Sequence, residues 1–133
     1  MSYLLTVFKL VVFDTSEDGF RTVVKDYQEM ALRFVWGSGE RGVLTKEVWL
    51  HVNKELGGSE SISRASIINF LQDMASDGVI QVNHRTGKGG HHGVYSSPLD
   101  EEGFKRYVAK NVISKLFETW PDATKEIVEE IFR

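Results

Sequence analysis

The side chains best suited to chemistry fall on one stripe: Arg64, Ala65, Ser66, Ile68, Asn69 and Gln72. Ile67, Phe70, Leu71 and Met74 recur at three and four and belong in a core, which places the stripe on the opposite side of a helix. The chemistry of such a stripe is recognition. Arginine forks onto guanine, Asn and Gln match the edge of adenine, and Ala or Ile packs on a thymine methyl. The helix start, with Ser63 and Ser66, offers N–H groups to a phosphate. A second group, Arg85, Lys88, His91 and His92, is interleaved with Gly87, Gly89 and Gly90. Cations there neutralise phosphates and the glycines let backbone approach closely, so this group positions a duplex without reading it. Thr45 and Lys46, opening an earlier helix, add two phosphate candidates.

Other chemistries find little support. His84, His91 and His92 have no carboxylate or thiol nearby in sequence to complete a metal site, and adjacent residues of a strand point to opposite faces. Asp100, Glu101 and Glu102 stand where a helix begins after Pro98, and acidic residues there complement the positive end of the helix dipole. Gly87-Lys88-Gly89-Gly90 lacks the spacing of a phosphate-binding loop. No Ser/His/Asp grouping has a supporting context. We therefore expect no enzyme activity, no metal and no cofactor.

Composition sets the frame. A chain of 133 residues with 41% hydrophobic side chains makes one domain, or one domain with an appended association segment. With zero cysteines, disulfides, thiol catalysis and cysteine-held zinc are excluded, which fits a reducing, cytoplasmic setting. The most apolar run, Tyr3–Phe13, is too short to span a bilayer and is interrupted by Lys9. It also lacks the layout of a signal peptide, so no membrane partner is expected. The net charge of −3 argues against nucleic acid. Its distribution answers that objection. Residues 78–97 hold Arg85 and Lys88 with no acid, whereas residues 98–133 hold six Lys/Arg against eight Asp/Glu.

The elements that must position these groups follow from periodicity. Residues 1–19 form an N-terminal extension in which Tyr3–Phe13 suits a strand or a helix equally. From about Phe20 to Trp36 the pattern is helical, stopped by Gly37-Ser38-Gly39. Thr45 is expected to cap a second helix lined by Val48, Trp49, Val52 and Leu56 and ended by Gly57-Gly58. Ser63 is expected to cap the third, worth ~1 kcal/mol, and Gly78 to close it. Val79–His84 and Gly93–Ser97 read as strands of a hairpin whose tip is Arg85–Gly90. Asp100–Trp120 is a long helix, and Pro121 starts a last one with Ile127, Val128 and Ile131 inward. Phe104, Tyr107, Val108, Val112, Leu116, Phe117 and Trp120 are more apolar positions than one face of a small domain needs; they could pack on Phe20–Trp36 or against another subunit, and a dimer contact is the favoured expectation.

A family resemblance adds to this. Met30–Trp36, Leu44–Trp49, Ile62–Ile68, Met74–Ile80 and the pair Val94-Tyr95 occur in an order that resembles the penicillinase-repressor (BlaI/MecI-like) winged-helix regulators, relatives of the multiple-antibiotic-resistance (MarR-like) superfamily. The resemblance runs from about Gln28 to Val128 and implies a mostly helical winged helix-turn-helix over 20–98 with a β-hairpin wing. It further implies dimerisation helices over 99–133. By position it assigns Arg64, Ala65, Ser66, Ile68 and Asn69 to bases and Arg85 and Lys88 to the wing. The family's resistance members are cleaved between Asn and Phe in the C-terminal part; here Asn111 precedes Val112. The reading is a dimeric repressor that binds operator DNA and regulates transcription. Two rivals stand beside it. One is a winged-helix protein-interaction module; the other is a regulator sensing a small-molecule effector in a pocket of Tyr27, Trp36, Trp49, Phe104 and Tyr107.

Overall fold

Apolar residues at three- and four-residue spacing produce most of the architecture. The computed structural model describes residues 13–87 and 90–133. In chain order these form a 3-10 turn at Gly19–Thr22, α1 (Asp26–Gly37), a second 3-10 turn at Gly39–Arg41, and β1 (Val43–Leu44). Next come α2 (Thr45–Leu56), α3 (Arg64–Ser76), β2 (Gln81–Gly87), β3 (Gly90–Ser96), α4 (Glu101–Thr119) and α5 (Pro121–Ile131). The result is mostly helical with a three-stranded antiparallel sheet in the order β1-β3-β2. Among the described residues, no helix is long and apolar enough to cross a membrane.

The core sits where α1, α2 and α3 meet the sheet. Ala31, Leu32 and Val35 from α1, Val48 and Val52 from α2, and Ile67, Phe70, Leu71 and Met74 from α3 are all buried, together with Val43, Val79, Ile80 and Tyr95. Gly42 allows β1 to close on β3. Its φ is +75°, and a Cβ there would stand 2.7 Å from Val94 Cγ1 and 2.9 Å from the Tyr95 carbonyl oxygen. Only glycine tolerates that conformation and that approach together.

Several local expectations are corrected. The Phe20–Trp36 pattern is not one helix. Gly19–Thr22 is a 3-10 turn, the backbone leaves it at a Val23 φ of −127°, and the helix starts only at Asp26, with Val23 and Val24 buried between the two. The Gln28 side chain accepts the Lys25 N–H at 2.8 Å and fixes the new start. Thr45 is the first residue of α2 and not its cap; the Glu47 carboxylate accepts the N–H of Leu44 at 2.9 Å. The hairpin runs further than expected, with Arg85 opposite His92 and Thr86 opposite His91, so Arg85 belongs to a strand and not to the tip. The Tyr3–Phe13 run lies, but for Phe13, outside the described residues.

The C-terminal helices divide. Asp100 caps α4 by accepting the Gly103 N–H at 2.7 Å. Phe104 is fully buried within the chain, its ring 5.3 Å from Phe20 and 5.7 Å from Trp36, and Tyr107 and Val108 pack on the same core. Of the two placements open to these three positions, the chain's own core takes them, on the Phe20–Trp36 segment. Arg33 donates to Glu101 at 2.7 Å and to Glu29 at 2.9 Å, and lies over the Phe20 ring. Beyond Val112, which is half-buried, the helices lose that support. Ile127 and Ile131, expected inward, are 50% and 67% exposed; α5 packs mainly on α4.

Candidate nucleic-acid interface

Helix α3 presents its polar stripe to solvent for two reasons. Its apolar residues occupy the core side, and the turn before it is locked. Gly57 and Gly58, both at positive φ, release the chain from α2. Ile62 is then clamped. Asn53 Oδ1 accepts the Ile62 N–H at 2.8 Å, Asn53 Nδ2 donates to the Ile62 carbonyl at 3.1 Å, and Trp49 Nε1 donates to the same carbonyl at 2.9 Å. Asn53 Nδ2 also meets the Trp49 carbonyl at 2.9 Å. The angle between α2 and α3 is therefore held by side chains of α2 gripping backbone.

Periodicity does not single out Asn53, and it places Trp49 on the inner face of α2 with no sign of its bond to Ile62. A signal was present: an amide beside Val52, mid-helix, where helix propensity disfavours it.

The expected residues then take definite places. Arg64, Ala65, Asn69 and Gln72 are exposed, while Ser66 and Ile68 are half-buried on the same side. Arg64 is drawn toward α2, its guanidinium 5.7 Å from the Trp49 ring centroid. Ser63 caps the helix as expected: its Oγ accepts the Ser66 N–H at 3.1 Å and lies 3.0 Å from Ser66 Oγ. That bond engages the Ser66 N–H and the Ser63 hydroxyl oxygen, two of the groups expected to face a phosphate. Asp73, one turn beyond Asn69, contributes a half-buried carboxylate to the far end of the stripe.

The hairpin candidates gather elsewhere, around the start of α2. Arg85 and His92 form a cross-strand pair and line a shallow groove of about 430 Å³ with Arg41, Leu44, Glu47 and Val94. Lys46 is exposed on the first turn of α2. Thr45 is engaged with the Tyr95 hydroxyl; burial pushes the Tyr95 phenol up, and the Thr45 hydrogen bond partly offsets this. Glu47 lowers the positive potential of the groove, although its carboxylate is turned to the Leu44 N–H. Lys88 and the side chain of His91 lie outside the described residues. So the structure keeps base-reading candidates on α3 and phosphate candidates around β1, α2 and the hairpin, with Trp49 and Arg64 linking α2 to α3.

The aromatic residues proposed for an effector pocket do not gather. Tyr27 packs edge-on to Phe70, Trp49 faces Arg64, and Trp36, Phe104 and Tyr107 fill one cluster with Phe20. Burial, then the nearby Asp77 carboxylate, holds the Tyr107 phenol above its ordinary pKa. Among the described residues no group of His, Cys, Asp and Glu could hold a metal ion. No model of a known protein family matches the chain, and no match among curated proteins reaches significance.

Proposed function

We propose that this chain is a sequence-specific, winged helix-turn-helix DNA-binding regulator that represses transcription by occupying operator duplex as a homodimer. The observation that carries the reading is the exposed face of α3. It combines hydrogen-bonding side chains without net repulsion, sits on a helix braced by Asn53 and Trp49, and follows a helix of suitable length. A recognition helix needs those three properties, since it enters the major groove and contacts base edges mostly from its N-terminal half. The order α1-β1-α2-α3-β2-β3, with β3 central in the sheet, supports a wing formed by the β2–β3 hairpin.

In this mechanism Arg64, Ser66, Asn69 and Gln72 read base edges. Arg85, Lys88 and Lys46 neutralise phosphates on either side, and His92 offers a hydrogen bond to one. Dimerisation is assigned to the distal half of α4 and to α5, where Ile113, Leu116, Phe117, Trp120, Ile127 and Ile131 are exposed. Two-fold pairing would present two α3 helices to half-sites one helical turn apart. Glu118, Asp122, Glu126, Glu129 and Glu130 belong to that end of the chain, so much of the acidity lies away from the proposed ligand.

Two substitutions separate reading from positioning. Asn69→Ala is expected to cost ~1–3 kcal/mol at one base pair and to relax preference there. Lys88→Ala is expected to weaken all sequences alike and to reduce the salt slope by ~1. Uniform loss in both variants, measured by fluorescence anisotropy across a duplex panel, would remove Asn69 from the reading face.

A further inference from the structure

The composition and geometry of the α3 face restrict which duplex it fits, on the premise that α3 reads DNA. Arg64 is the only cation on this helix, and it leans over Trp49 toward α2. The middle of the face is therefore left to Ala65, Ile68, Asn69 and Gln72. None of these four has guanine or cytosine as its favoured partner. Asn and Gln match the N6/N7 edge of adenine bidentately, and the apolar pair matches the C5-methyl of thymine. Ile68 is half-exposed among polar neighbours, a placement that costs solvation in water and is relieved against a methyl group.

We infer that the centre of the α3 face selects A·T base pairs, with thymine methyls seated on Ile68 and Ala65 and adenines held by Asn69 and Gln72. Arg64 anchors one edge of the half-site, on a guanine or a flanking phosphate. From Ala65 to Gln72 the helix rises ~10 Å, which matches about three base-pair steps. The ligand class is accordingly a duplex with a short A·T block in each half-site, read from the major groove.

The test uses the full chain and a randomised duplex library. Bound duplexes are sequenced after successive rounds, and thymine in the selected block is then replaced by uracil, which removes only the methyl group. The inference expects an A·T block in the selected sites and a loss of about fourfold in affinity per contacted methyl. It also expects Ile68→Ala to narrow the thymine–uracil difference at the base pair under Ile68 and to leave the difference at the base pair under Ala65 unchanged. The uracil comparison on the unmodified protein stands even where the variant folds poorly. Selection of G·C-rich sites, or equal affinity for thymine and uracil duplexes, overturns the inference while leaving DNA binding in place. Absence of binding to any duplex at low salt overturns the DNA-binding reading itself, and this inference with it.

Discussion

Helices α3 and α4 are both rich in apolar residues, yet the chain treats the two sets differently. In α3, Ile67, Phe70, Leu71 and Met74 are buried against α1 and α2, and what remains outside is a polar stripe with two small apolar members. In α4 only Phe104 is buried, and Ile113, Leu116 and Phe117 face solvent with Trp120 beyond them. Apolar periodicity therefore marks a face that burial would favour, and does not say whether the chain itself buries it. The finished helix leaves a face fit for a polar ligand. The unfinished one leaves a face fit for an apolar partner.

The junction between the two halves of α4 is where the comparison can be broken most forcefully. Phe104→Ala removes a fully buried ring from the cluster of Phe20, Trp36 and Tyr107. It is expected to cost ~3–5 kcal/mol in denaturant-induced unfolding. A loss below about 1 kcal/mol would mean that α4 is not seated on the core as described.

Trp120→Ala probes the other half of the same helix pair. Trp120 is 62% exposed on the chain, so the fold should be barely affected. If a second copy covers it, sedimentation should show dimerisation weakened by ~2–4 kcal/mol, the cost of truncating a central aromatic contact. A dimer of unchanged strength would move the contact elsewhere.

Asn53→Ala sharpens the account of α3. Its amide makes two bonds to Ile62 and one to the Trp49 carbonyl, and the alanine variant leaves the Ile62 N–H without its acceptor. The expected cost is ~1–3 kcal/mol in stability, accompanied by weaker DNA binding because the turn no longer holds α3 at its angle. Loss of stability with full DNA affinity would show that the clamp serves the fold alone.

Much of this organisation is legible in the residues themselves. The Ser63 cap, the buried stripe of α3, the exposure of Arg64, Asn69 and Gln72, and the start of α4 at Asp100 all follow from local rules of period and capping. What was not legible depends on contacts distant in sequence. Arg33 reaches Glu101 across the chain, a pairing that periodicity within α4 cannot reveal, and periodicity alone does not choose between the two covers open to Phe104. Val23 and Val24 are buried between a 3-10 turn and the start of α1, a placement made by contacts with the core and not by local period. The hairpin lengthens to Gly87 because Arg85, Thr86 and Gly87 find register partners in β3, although glycine alone suggested a loop. Asn53 was missed for the same reason: its role lies in the backbone of a turn nine residues away.

The most direct test of the central claim is fluorescence anisotropy of the full chain on the DNA upstream of its own coding region, against a scrambled duplex of equal length, at two salt concentrations. The account predicts tighter binding to the upstream fragment and affinity for both duplexes that falls as salt rises. Equal affinity for the two would contradict sequence reading by α3. No binding to either at low salt would contradict the DNA-binding account as a whole.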